Sequence, residues 1–281
     1  MSLPLLRSLL FVPGSRPERF EKALLSGADM TCIDLEDAVL PEDKTSARQS
    51  VRDYLSETEH ADKVVIRVNP SLSTEGQADI AALLTAGQHP RAIMLPKASS
   101  AEEIAAVCQQ LNQTDIRLIA LLETVQGVQQ AAAIGQASDR VDALMFGGAD
   151  YSADIGCEFS YEPLLLARMQ LVQAKASQPR QMQLIDVPHI DLTELEHCFA
   201  DTSKVKALGF TGKAAIHPKQ LTAIHKAFTP TEKEIANAKA IIDAVPSDNA
   251  GVVVVNGRMV DRPIILAARR TLALAAIAGK L

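Results

Sequence analysis

The chain has 281 residues, of which 47% are hydrophobic and 4% aromatic, with no tryptophan and a formal net charge of -6. That length buries a large core and suits one big α/β domain or two small ones. The acidic balance argues against a nucleic-acid surface, which needs clustered positive charge, but it leaves room for a small anionic ligand held by a few arginines. In chain order, short apolar runs occur at "SLLFVPG" (8–14), "MTCIDLED" (30–37), "KVVIRVN" (63–69) and "AIMLPK" (92–97). They continue with "RLIALLET" (117–124), "ALMFGGAD" (143–150), "MQLIDVPH" (182–189) and "AAIHP" (214–218). Such runs predict strands buried on both faces, as in a parallel sheet. Helical patterns lie between them, among them "RPERFEKALLSG", "PEDKTSARQSVRDYL", "SSAEEIAAVCQQL" and "YEPLLLARMQLVQAKA". Pro41, with Glu42 and Asp43 behind it, suits the first turn of the second pattern.

Eight strand–helix units predict an α/β fold closed as a (β/α)₈ TIM barrel, which takes about 250 residues, ahead of an open doubly wound sheet. The barrel is expected over residues 1–228. Residues 229–281 are expected to add a helix, a β-hairpin turning at "NG" (256–257) and a last helix, forming a lid or oligomerisation arm. Thr229 or Thr231 is placed to cap the first of these helices.

Four scattered cysteines, Cys32, Cys108, Cys157 and Cys198, show no CxxC pair and no metal-ligand spacing, which fits a reducing cytoplasm. No membrane span and no secretory leader is read, so a soluble cytoplasmic protein is expected.

In such barrels the C-terminal rim of the strands carries the chemistry. That rule brings Arg16, Glu36, Asp37, Arg67, Asn69, Lys97, Glu123, Asp150 and His217 to one mouth. Glu123 and Asp150 each close an apolar run on strands expected to be neighbours. Two carboxylates suit Mg²⁺, which keeps several waters or substrate oxygens, although two solvated loop acids would look the same. Arg67, inside an apolar run, either grips a substrate carboxylate and stabilises an oxyanion or pairs with Glu36 or Asp37. Gly147 and Gly148 permit close backbone approach to a ligand or simply turn the chain. Lys97 has the nucleophile for a Schiff base. His217 is a candidate ligand or acid, with a hydrogen-bonded structural histidine as the default. "TGK" (211–213) is too short for a phosphate loop, and GxGxxG is absent.

Taken together, "LLFVPGSRPERFEKAL", "CIDLEDAVLPEDKTSAR", "VIRVN", "MLPKA", "ALLET", "FGGADY", "LGFTGKAAIHPKQ" and "NGRMVDRP" resemble, in this order, the citrate lyase β-subunit-like family within the HpcH/HpaI aldolase group. The resemblance spans nearly the whole chain. It implies a TIM barrel, Mg²⁺ dependence, carbon–carbon cleavage of a 3-hydroxyacyl thioester, and trimers or dimers of trimers. By motif, Glu123 and Asp150 resemble the Mg²⁺ ligands and Arg67 the substrate arginine, while Glu36 and Asp37 resemble acids that hold metal-bound waters. Asp261 resembles the acid that closes over a neighbouring subunit's site and moves a proton. Gly148 and Ala149 fall where the keto acid is contacted, and Arg16 where CoA phosphates or the thioester arm would lie.

Two departures stand out. Ala149 replaces a glutamate common in relatives, and the segment before the seventh strand lacks a frequent glycine. The resemblance implies cleavage of (3S)-citramalyl-CoA to acetyl-CoA and pyruvate, or of malyl-CoA to acetyl-CoA and glyoxylate. The alternatives are a citryl-carrier β-subunit of a citrate lyase complex and a non-catalytic assembly or regulatory barrel.

Overall fold

The computed structural model describes residues 2–245, 253–255 and 258–281. Eight parallel strands form a closed barrel in sequence order: β1 (Ser8–Pro13), β2 (Met30–Asp34), β3 (Val64–Arg67), β4 (Ala92–Leu95), β5 (Arg117–Leu122), β6 (Val141–Phe146), β7 (Gln183–Asp186) and β8 (Gly212–Ala215). The β8–β1 pairing, with Leu9 opposite Ala214, completes the ring. All eight strands overlap the apolar runs read from the sequence, with ends that differ by up to four residues. Closure explains why they are apolar on both sides. Alternate residues such as Leu9, Cys32, Val65, Leu121, Met145 and Ile185 fill the barrel interior. Their neighbours, such as Leu10, Ile33, Ile66 and Leu122, pack outward into the helical layer.

Leu3 and Leu6 join the interior cluster and so stopper the N-terminal end. Gln183 holds that segment, accepting the Leu6 N–H at 2.8 Å and donating to Pro4 O at 2.6 Å. The opposite end is left to polar residues.

The strand-to-helix loops begin helices with capping side chains. Ser73 caps α3 (Thr74–Leu84), Ser100 caps α4 (Ala101–Gln110) and Thr124 caps α5 (Val125–Gln129), each accepting an N–H three residues on. Helix α1 (Phe20–Leu24) lies between β1 and β2, and Pro41 starts a short 3₁₀ turn that runs into α2 (Lys44–Glu57), as its position predicts. α6 (Ala131–Gln136) leads to β6, after which the chain enters α7 (Gly148–Ile155) at once, then α8 (Leu165–Ala176). β7 is followed by α9 (Leu195–Leu208) and β8 by α10 (Lys219–Phe228).

Beyond Phe228, which is buried in the barrel's outer core, come α11 (Glu232–Asp243), the paired strands β9 (Val253–Val255) and β10 (Arg258–Val260), and α12 (Arg262–Ile277). Thr231, not Thr229, caps α11, in a capping box with Glu234. The expected Asn256-Gly257 turn lies outside the described residues. Ala238, Ile241, Val260, Ile265 and Ala268 form a small core of their own. That separate core supports our proposal that the chain divides into a barrel, 1–228, and an extension, 229–281. Among the described residues no helix is long and apolar enough to cross a membrane.

Candidate active site

The period-2 alternation that fills the barrel also builds its polar mouth. Counting two residues past Cys32, Val65, Leu121 and Met145 gives Asp34, Arg67, Glu123 and Gly147 on the inward phase, one layer above the apolar interior. Register places Asp34 directly opposite Arg67. The guanidinium grips that carboxylate bidentately, Nε to Oδ1 at 2.7 Å and Nη2 to Oδ2 at 2.6 Å. Nη1 reaches Glu36 Oε2 at 3.0 Å and Asp37 Oδ2 at 3.7 Å, and the group lies 5.3 Å from the centre of the Phe11 ring. Burial works against the arginine's charge, but the bond to Asp34 and the negative charges around it outweigh this and hold it firmly cationic.

Arg67 therefore does pair internally, and Asp34 is its main partner, ahead of Glu36 and Asp37. Asp34 also accepts the N–H groups of Glu36 at 2.9 Å and Ala38 at 3.0 Å, so it sets the turn that presents Glu36. Glu36 and Asp37 then diverge. Glu36 is buried, whereas the Asp37 side chain is 59% exposed. Glu36 Oε1 accepts the Lys97 ammonium at 2.6 Å. Burial raises the Glu36 carboxyl's pKa, with Arg67 and Lys97 pulling against that shift.

Lys97 links this cluster to the next. Its backbone N–H donates to Glu123 Oε1 at 2.8 Å. Glu123 is only 2% exposed and lies close enough to Asp150 for their carboxyls to hydrogen-bond. Burial first, then the Asp150 contact and the charge of Glu36, push the Glu123 pKa up to about 8. Gly147 makes room for this arrangement: a Cβ there would sit 2.4 Å from Glu123 Cβ and 2.8 Å from Oε2. Asp150 differs from expectation in one respect. β6 ends at Phe146, so Asp150 stands in the first turn of α7 and not at a strand end. Gly148 opens that helix, and Ala149 is exposed beside Asp150.

Glu123 and Asp150 fit a divalent cation on this structure's own chemistry. Two carboxylates face each other, and one is pushed toward protonation by its burial and by the acids beside it. Mg²⁺ is commonly held by one or two carboxylates and keeps several waters or substrate oxygens, which a pair of acids at an open mouth allows.

Other expected residues lie elsewhere. Asn69 is buried under the mouth, donating to Leu35 O at 2.9 Å and Asp79 Oδ2 at 2.7 Å, and so braces the loop after β3. His217 Nδ1 accepts the Lys219 N–H at 3.1 Å, which makes it a local turn brace. Arg16 is exposed at the start of the 3₁₀ turn after β1. Asp261 caps α12.

A second buried charge cluster has no counterpart among the residues singled out by sequence. Asp186 binds Lys213 Nζ at 2.6 Å and Arg168 Nε at 2.9 Å. The two cations overcome burial and keep its carboxyl below the usual range. This accounts for the lysine of "TGK". A lone basic residue in a buried β8 was the available signal. The cluster points outward from the barrel, since Ile185 and Ala214 face inward.

Residues 7–218 match the model of the HpcH/HpaI aldolase/citrate lyase family. The chain belongs to that family. A second model, a C–C bond lyase of the TIM-barrel fold, matches residues 179–279. The citrate lyase β subunit of Haemophilus influenzae is 32% identical over 278 residues, covering 94% of each chain. The (3S)-malyl-CoA thioesterase of Cereibacter sphaeroides is 32% identical over 271 residues, covering 95% of this chain and 93% of that one. Among solved structures, the CitE protein of Mycobacterium tuberculosis in complex with magnesium, acetoacetate and coenzyme A superposes with a TM-score of 0.80 at 29% identity, covering 97% and 98% of the two chains. The protein is thus an enzyme of a carbon–carbon lyase family whose members share this barrel.

Proposed function

We propose that the protein is a Mg²⁺-dependent lyase of short 3-hydroxyacyl-CoA thioesters, acting on (3S)-citramalyl-CoA or malyl-CoA. The observation that carries this reading is the buried Glu123 carboxyl, held against Asp150 at the mouth with its pKa pushed up to about 8. Mg²⁺ held by Glu123 and Asp150 would supply Lewis-acid polarisation of the substrate's hydroxyl and carboxylate oxygens.

The remaining steps fall to the chain's own residues. The backbone at Gly148 and Ala149, next to the cation position, contacts the keto-acid portion. Asp261, brought from a neighbouring subunit, takes the hydroxyl proton as base. The bond between the thioester's α-carbon and the carbinol carbon then breaks, its electron pair passing to the thioester as an enolate and leaving pyruvate or glyoxylate. Arg67, held as a cation, stabilises that oxyanion, and a proton delivered to the α-carbon completes acetyl-CoA. Asp37 and Glu36 order waters around the metal position, with Asp37, the exposed one, free to relay protons to solvent. Arg16, exposed beside the mouth, meets the CoA phosphates. A homotrimer or hexamer in the cytoplasm completes the proposal.

The magnesium, acetoacetate and coenzyme A bound by the similar CitE protein support the choice of ligands, and the malyl-CoA thioesterase supports the thioester class. The citrate lyase β subunits among the relatives favour a second reading, in which the thioester is carried on a protein and not on CoA. The test is purified protein with Mg²⁺ and each CoA thioester, with keto acid and acetyl-CoA measured as products. Cleavage that disappears with EDTA supports the proposal. Absence of cleavage with both thioesters, but turnover of a carrier-bound one, assigns the second reading. Inactivity on all three leaves a barrel that serves assembly.

A further inference from the structure

Lys97 is the one non-glycine residue with a positive φ, 52°, among the described residues. Left-handed backbone is unfavourable for a residue with a side chain and persists where its surroundings impose it. Here the surroundings are visible. The next residue's N–H, from Ala98, donates to Leu121 O at 3.2 Å. On the other side Gly127 of α5 lies so close that a Cβ there would sit 2.5 Å from Ala98 O. At the outer end the Lys97 ammonium is tied to Glu36 at 2.6 Å. What the turn achieves is specific: it aims the Lys97 N–H at Glu123 Oε1, at 2.8 Å. The other carboxylate oxygen, Oε2, is then left beside Gly147, at the turn leading directly into the helix that carries Asp150.

We propose that Lys97 is a positioning residue whose left-handed backbone sets the rotamer of Glu123. It occupies Oε1 with a fixed donor and presents Oε2, with Asp150, to the cation. The inference rests on the reading of Glu123 and Asp150 as the Mg²⁺ site. It gives Lys97 a role that neither a Schiff base nor a surface charge would have, since the working group is its amide and not its amine.

The backbone role predicts an order among substitutions that all lose the ammonium. Glycine and asparagine tolerate this conformation, alanine does so less, and β-branched valine resists it. Mg²⁺ affinity, measured by titration calorimetry on the full chain without substrate, should hold within about threefold for K97G and K97N. It should weaken further in K97A, and by about tenfold or more relative to K97G in K97V, the range expected for loss of a group that orients a metal ligand. K97R, which keeps the stem and the charge, should match the parent. Melting curves recorded in EDTA identify any variant that fails to fold, and the Asn and Ala members keep the series informative if valine does. Equal Mg²⁺ affinity across the folded members would overturn the proposal. If the parent binds no Mg²⁺, or if D150N binds it equally well, the metal site itself is wrong and this inference falls with it. That failure is told apart because it shows in the parent and in D150N before Lys97 is touched.

Discussion

Arg67 and Asp34 stand opposite each other on adjacent strands and are joined by two hydrogen bonds of 2.7 and 2.6 Å beneath the mouth of the barrel. The pair does more than neutralise two buried charges. It turns the arginine's other edge, Nη1, toward Glu36 and Asp37, and through Asp34 it also holds the turn that presents Glu36. Removing one member strands the other. Asp34→Ala is expected to cost about 3–5 kcal/mol in urea denaturation, the range for breaking a buried ion pair. Asp37→Ala, which loses only an exposed contact at 3.7 Å, should cost under about 1 kcal/mol. Equal losses in the two variants would show that Arg67 is anchored by the whole acidic turn and not by Asp34.

The acids at the mouth differ in how near they stand to the proposed metal position. Asp150 contacts Glu123 directly, whereas Asp37 reaches only the outer edge of Arg67. Mg²⁺ affinity should therefore fall steeply in Asp150→Ala and by about tenfold at most in Asp37→Ala. Calorimetric titration of both variants checks the order, and the reverse order would put Asp37, and not Asp150, against the cation.

Glu123 makes a pH signature in the metal-free protein. Its folded pKa of about 8 lies above the ordinary carboxylate value of 4.5. The folded state thus retains a proton that the unfolded chain releases. Stability from this group is fully present below pH 4.5 and is lost as pH rises through about 8. In EDTA, the unfolding free energy of the parent should fall relative to Glu123→Gln by up to about 1.4 kcal/mol per pH unit across that window, then level off. Parallel profiles for the two proteins would mean that Glu123 titrates normally.

How far these features can be read from the chain depends on the kind of physics behind them. The strands are legible because closure buries both faces and leaves uninterrupted apolar runs. Glu123 is legible because it ends such a run. Asp34 cannot be assigned its partner by sequence, since pairing across β2 and β3 depends on register, and register is a property of the closed sheet. Asp150 reads as a strand end because "FGGAD" continues the run. The helix that begins at Gly148 leaves no apolar break to mark it. The trio of Asp186, Lys213 and Arg168 comes from three distant elements, and only the packing of α8 over β7 and β8 assembles it. The left-handed turn at Lys97 leaves no mark in composition at all, because a residue that favours that conformation is not the one used.

Gly147 offers the sharpest steric test of the site. It continues the inward phase of β6 one residue past the strand's end, where a side chain would meet Glu123, not a flexible surface group. A Cβ at 2.4 Å from Glu123 Cβ cannot be relieved by turning the carboxylate, because the conflict lies at the root of that side chain. Either β5 and β6 move apart or Glu123 leaves its position. Gly147→Ala is expected to lower stability by about 1–3 kcal/mol, as overpacking does, and to abolish Mg²⁺ binding even under conditions where the protein is fully folded. Gly148→Ala meets its nearest neighbour, a Phe146 ring carbon, at 3.0 Å and should do less of both. Melting curves combined with Mg²⁺ titration of the two variants decide the matter. Retained Mg²⁺ binding in folded Gly147→Ala would place the cation away from Glu123.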